Sequence, residues 1–278
     1  VINVSEARDT AVLDRLRTAA GPTLLDTHSD AEHHRTVLTL GGPLPDVEQA
    51  ARSVAAEGVA TIDLRHHTGV HPRLGAVDVV PFVPLPGGAS MDQALAAREG
   101  FIRWAGVELG LPCFRYGPER TLPEVRRHAF QPLRPDAGPP TAHPTAGATA
   151  VGARPVLVAY NVWITDGEGA AHADHGHARA VARSVAAALR GPGIRALGLP
   201  VGVGAQVSVN LLEPGPTSVS DLYDAVARLA GAEGCRILRA ELVGLVPAEV
   251  VASVPARRRR LLDVSEDRTI EARLSAIH

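Results

Sequence analysis

The chain has 278 residues, of which 45% are hydrophobic and 21% charged, an ordinary globular composition that can bury one large core or two smaller ones. Its formal net charge of −2 excludes a general electrostatic attraction to nucleic acid or an acidic membrane. All 28 basic residues are arginine, a bias of composition that says little about chemistry.

Val1–Val4 is readable as a first strand. Ser5 to Ala19 predicts a helix with Ser5 as its N-cap, because a hydroxyl there can accept from an unpaired amide of the first turn. Strands follow at about Thr23–Thr27 and Arg35–Leu40, then a helix from Asp46 to about Leu64. The stretch HHTGVHPRLGAVDVVPF (His66–Phe82) comes next, and its Ala76–Pro84 portion predicts a strand buried on both faces. Met91–Leu109 is a third helix and Pro112–Tyr116 a further strand. From Gly117 to Gly152 proline and glycine recur, so regular sheet pairing is not expected from about Pro132 onward, and the segment reads as a binding loop. Beyond it the pattern predicts a strand at Pro155–Ile164, a helix at Ala171–Arg190, strands at Ile194–Leu199 and Ala205–Leu212, a helix at Ser218–Ala230 and a strand at Cys235–Val243.

That series is β-α-β-β-α-β, the split arrangement of a ferredoxin-like unit, and the N-terminal half repeats it with an extra α-β. The fold class is therefore α+β with two ferredoxin-like subdomains, residues 1–155 (including the Pro/Gly loop 117–152) and 156–278. Cys113 and Cys235 lie far apart in apolar segments, as two buried thiols of a reducing compartment would. With no signal pattern and no run of about 18 apolar residues, the expectation is a soluble cytoplasmic protein with no membrane or nucleic-acid partner. The run Arg257–Arg260 reads as a solvated helix end or an oligomer contact rather than a nucleic-acid tail.

His71 precedes Pro72 and follows Gly69, so it sits on an extended loop at the mouth of a buried strand, where an imidazole can take and return a proton. The alternative is a surface or packing histidine. His67 and His71 are four apart and, with His66, His28, His33 or His34, raise the question of a metal site. Gly69 and Pro72 argue against the helix that would aim such a pair, and no Cys or acidic cluster completes the set, so no metal is expected. A second tract, AHADHGHAR (Ala171–Arg179), reads as a solvated helix end. The Gly-rich GVGAQVSVN lacks a nucleotide-binding spacing.

Four segments in register, HPRLGAVDVVPF (His71–Phe82), GATAVGAR (Gly147–Arg154), AQVSVNLLE (Ala205–Glu213) and ELVGLVPAEVV (Glu241–Val251), resemble those of the folate-dependent formiminotransferase domain of glutamate formimidoyltransferase. The resemblance implies two α+β subdomains with a folate tunnel between them, a homodimer, tetrahydrofolate as co-substrate and no cyclodeaminase domain. It also implies that His71 is the general base that takes a proton from N5 of tetrahydrofolate as that nitrogen attacks the formimino carbon of formiminoglutamate. The family's folate contacts map onto Gly138, Pro139, Pro144 and Gly147. Arg35 and Arg73 would hold a carboxylate or polarise the transferred group, with bidentate geometry.

The chain departs from the family near the expected pocket. Asp26-Thr27-His28 stands where the family has Asp-x-Asp, and His34 where it has Asn before Arg-Thr-Val. His67-Thr68-Gly69-Val70-His71-Pro72-Arg73 replaces His-Lys-Gly-Glu-His-Pro-Arg, and Ala146 stands where an aromatic is common. Loss of a carboxylate at position 70 and gain of a histidine at 28 should make His71 titrate lower. The expectation is transfer of a formimino or formyl group with His28, His34, Arg35 and Arg73 lining a rewritten, substrate-binding pocket for another amine. The alternative is a non-catalytic or repurposed relative that binds an unrelated small ligand in the same tunnel.

Overall fold

The computed structural model describes residues 1–69, 71–167, 176–202, 204–215 and 218–277. It comprises two compact units, Val1–Val156 and Leu157–Ala276.

The first unit runs β1 (Ile2–Val4), α1 (Thr10–Ala20), β2 (Leu24–Asp30), β3 (Arg35–Leu40), α2 (Leu44–Thr61), β4 (Val77–Phe82), α3 (Met91–Glu108), β5 (Cys113–Tyr116), α4 (Leu122–His128) and β6 (Thr149–Ala153). Among the described residues these strands form a six-stranded sheet in the order β2-β3-β1-β4-β6-β5. The first four strands are antiparallel neighbours in the split βαββαβ order, as expected. Beyond β4 the sheet turns parallel, with β6 between β4 and β5. Parallel neighbours require a crossover, which α3 supplies from β4 to β5.

Two readings of this unit change. Ser5 does not cap α1: its side chain is buried and donates to the Gly75 carbonyl at 2.8 Å, while Asp9 accepts from the amides of Ala11 and Val12. The Pro/Gly segment is not all loop. Thr121 and Glu124 form a reciprocal capping box that starts α4 with a proline in its first turn, and Thr149–Ala153 is a fully buried inner strand. The small residues of TAVGA let neighbouring elements approach on both faces: a Cβ on Gly152 would lie 2.3 Å from the Tyr116 ring.

Helices α1, α2 and α3 cover one face of this sheet, burying Leu16, Val54, Val77, Phe101 and Ile102. On the opposite face α4 covers only the parallel half, where Val125 packs with Val79, Phe114 and Ala150. The antiparallel half of that face carries the paired positions Asn3, Val37 and His28, together with Arg35, all half-buried. The site described below lies at the border between the two halves.

The second unit runs β7 (Val158–Thr165), α5 (Gly176–Leu189), β8 (Ile194–Val201), β9 (Gly204–Leu211), α6 (Val219–Ala232) and β10 (Arg236–Val243), with sheet order β10-β7-β9-β8 and every neighbour antiparallel. Ser218 caps α6 by accepting from the Asp221 amide. Tyr160, Val162, Val185, Val207 and Val226 form its core on one face. The Ala171–Arg179 histidine tract falls largely outside the described residues. Arg258 and Arg259 of the arginine run pair with Asp224 and Glu266.

Helix α5 lies so close to β8 that a Cβ on Gly198 would sit 2.4 Å from the Arg183 amide nitrogen. Gly198→Ala should therefore push α5 off its sheet and destabilise the protein by about 1–3 kcal/mol, as overpacking does elsewhere, measurable as a lower urea midpoint.

Candidate active site

The loop between α2 and β4 is tied down at both ends. Leu64 donates its amide to the Thr145 carbonyl at 2.9 Å, and Ala76 donates to Ala146 at 2.9 Å. In the middle, Gly69 presses against the β2–β3 turn, where a Cβ would lie 2.3 Å from the His33 carbonyl oxygen. Glycine is required there by space. Val70 lies outside the described residues.

Across that seat, His34 and His67 stack with ring centroids 4.0 Å apart. His67 donates through Nε2 to the His34 carbonyl at 3.0 Å, and its Nδ1 accepts from the Gly69 amide at 3.1 Å and from Arg73. Arg73 also donates to the carbonyls of Gly69 and His71. Glu6 accepts from His34 Nε2 at 2.9 Å and from the amides of Ala7, Arg8 and Asp9. His34 and Arg73 thus shape the loop itself. The His33 ring lies 5.7 Å from that of His71 and is tilted to it by 55°. Among the described residues no group of three or more His, Cys, Asp or Glu could hold a metal ion.

His71 itself is half-buried. Its Nδ1 lies 2.7 Å from the Pro72 carbonyl oxygen. Arg35 Nη1 sits 3.1 Å from the same Nδ1 while donating to Asp78 Oδ2 at 2.5 Å. Arg126 reaches over from α4, donating to Asp78 Oδ2 at 2.6 Å and to the Pro72 carbonyl. The Leu74 amide donates to Asp78 Oδ1 at 2.6 Å.

Asp78 owes this position to a β-bulge. The register of β1 against β4 pairs Asn3 with Val79 and Val4 with Val77, leaving Asp78 as the extra residue, turned out of strict alternation and fully buried. Burial raises the pKa of its carboxyl, but Arg35 and Arg126 outweigh that and hold it below the ordinary carboxylate value. The same burial, with the charges of Arg35 and Arg126, pushes the His71 pKa down to about 2, so its imidazole is neutral at physiological pH. The causes of the lowering are burial and the two arginines, not His28.

His28 lies on the same sheet face as Arg35, two residues further along the hairpin. Gly147 closes a tight turn with His143, with reciprocal amide and carbonyl bonds at 2.7 and 3.0 Å, and bridges Gly75 near His71; Pro144 is exposed at its tip. Gly138 and Pro139 are exposed two strands away at the start of β5, where a Cβ on Gly138 would lie 2.6 Å from the Leu111 carbonyl. Ala146 is fully buried among the residues of the helix-side core. Asp78 and Arg126 were not foreseen. The signal for Asp78 was a charge inside an apolar strand, and for Arg126 the capping box Thr-Leu-Pro-Glu.

The site is a neutral imidazole beside clustered guanidinium donors on an α+β scaffold, groups that a transferase can use. Comparison with known proteins agrees. Residues 1–154 match the family model "Formiminotransferase domain, N-terminal subdomain" and residues 159–277 match "Formiminotransferase domain". The chain is 34% identical to glutamate formimidoyltransferase of Streptococcus pyogenes serotype M1, over 91% of this chain and 89% of that one. It is 28% identical to the Thermoplasma acidophilum protein of the same name, over 99% and 96%. It is 33% identical to formimidoyltransferase-cyclodeaminase of Rattus norvegicus over 92% of this chain, spanning 51% of that longer protein. The chain belongs to the formiminotransferase family, and it is a transferase.

Removing the Asp78 charge would leave Arg35 and Arg126 facing one another. Asp78→Asn should cost about 3–5 kcal/mol, the usual penalty for breaking a buried ion pair from one side, read as a fall in thermal midpoint.

Proposed function

We propose that this protein transfers a formimino group from an N-formimino amino acid to N5 of tetrahydrofolate, with His71 as general base. The observation that carries this reading is the placement of His71, a neutral imidazole set against the Pro72 carbonyl and beside Arg35. In the forward step N5 bonds to the formimino carbon and passes its proton to the unprotonated ring nitrogen of His71. The carbon–nitrogen bond to the amino acid then breaks as that nitrogen returns the proton to the departing amine, so that no other reactant is needed.

Arg35 holds a carboxylate of the donor, as the two parallel donors of a guanidinium suit that group. Arg73 acts on the same loop by holding the His71 backbone, which makes it a positioning residue. Gly138, Pro139, Pro144 and Gly147 contribute the folate contacts, within an N-terminal functional domain of residues 1–155. A cytoplasmic homodimer belongs to the same reading. The histidine at position 28, on the face that also carries Arg35, favours a donor built on an amine other than glutamate.

Two measurements test the reading. Tetrahydrofolate at 100 times its dissociation constant should raise stability by about 2.7 kcal/mol, seen as a thermal shift; no shift with any reduced folate would sink it. His71→Ala should lower turnover about 10²–10⁴-fold while leaving the fold and folate binding in place, and normal turnover in a folded variant would remove His71 from the chemistry.

A further inference from the structure

Among the described residues the charges around His71 do not balance. Strand β3 contributes Arg35 and α4 contributes Arg126, both donating to the one Oδ2 of Asp78 on β4, whose other oxygen is taken by the Leu74 amide. Two guanidiniums thus share one carboxylate that is itself completely inaccessible, while each arginine keeps part of its surface open, with side-chain exposures of 17% and 18%. Among the described residues of this unit, the other groups facing His71 supply no further anion. They are the Pro72 carbonyl and Arg73 from its own loop and the His33 ring from the β2–β3 turn, with Asp30 engaged with His33 at 3.4 Å.

We propose that Arg35 and Arg126 form a notch for the carboxylate of the donor substrate, and that this carboxylate, by offsetting their excess positive charge, converts His71 from a silent imidazole into a working base. The inference rests on the formimino-transfer reading for the identity of the donor, and adds to it a residue, Arg126, and a mode of activation. Its physical basis is that an unbalanced cation beside an imidazole disfavours the imidazolium that forms when a proton is accepted. Arg35 and Arg126 follow burial as the causes of the depressed His71 value, so an anion seated on them acts on the part that a ligand can change. The free enzyme then carries a base that does not protonate uselessly at ordinary pH. Basicity rises only when the donor is in place.

The test uses the whole chain, labelled at histidine, with the His71 resonance assigned by its loss in His71→Gln. Glutarate serves as the probe, because it offers a carboxylate without an amine or a formimino group, and glutaramide is its uncharged counterpart. Saturating glutarate should move the His71 midpoint upward by about one to three units, the usual effect of an opposite charge a few ångströms away. Because a carboxylate probe loses its charge below about pH 4, the shift is read from the protonated fraction of His71 at about pH 5, where glutarate is still ionised. Glutaramide should leave it unchanged. Arg126→Gln should raise the midpoint without any ligand and weaken the response to glutarate, whereas Arg126→Lys, which keeps the charge, should retain the low value.

Glutarate that fails to perturb the arginine side-chain signals would overturn the notch. Glutarate that binds there and leaves His71 unmoved would overturn the activation. If Arg126→Gln does not fold, the glutarate and glutaramide comparison on the unaltered protein decides alone. None of these readouts needs turnover. A protein that shows the glutarate response and no folate-dependent transfer counts against the proposed reaction only; one that transfers formimino groups with a flat His71 titration counts against this inference only.

Discussion

A single buried carboxylate joins the parts of the chain that must be held together around His71. Asp78 receives Arg35 from β3, Arg126 from α4 and the Leu74 amide from the loop before its own strand. A charge with no solvent access is tolerable only when paired and hydrogen-bonded, so each of these donors is required by the burial of Asp78 as much as by any task of its own. The arrangement also reaches the imidazole. Arg126 donates to the same Pro72 carbonyl that lies against His71 Nδ1, which links the position of α4 to that of the imidazole. Fold and the surroundings of His71 are therefore set by one cluster.

The cluster depends in turn on how unevenly the first sheet is covered. Its helix-side face is packed throughout, but on the other face α4 shields only the parallel strands. Arginines at that border can anchor inward on Asp78 while leaving an edge toward solvent. Had α4 extended across the antiparallel half, Arg35 would be sealed; without α4, Asp78 would be open to water and its hold on Arg35 would be screened.

Much of this was readable from the residues. Alternation of apolar positions placed β3 and α3 within a residue of their observed bounds, and the HPR segment singled out His71 before any coordinates. What was missed has physical causes. β6 is buried on both faces and made of small residues, so it shows no alternation and lies at the end of a Pro-rich stretch that reads as loop. Helix α4 is only seven residues long, too short to show a period. The role of Asp78 arises from a bulge, which is a property of pairing between two strands; the strand alone shows only a charge among apolar residues. Ser5 shows the converse error: a good N-cap by composition, spent on fastening the Gly75 carbonyl seventy residues away.

The insertion of β6 between β4 and β5 bears on how the protein is made. A ribosome releases β4 and β5 well before Thr149–Ala153, yet neither can pair with the other, because the strand that belongs between them has not emerged. Until it does, the nascent chain presents two apolar edges with unpaired amides and carbonyls, the kind of surface that invites joining with a neighbouring chain. The Pro/Gly segment that delays β6 thus also sets the length of that exposed interval, and a stall within it would hold the polypeptide at its most vulnerable point.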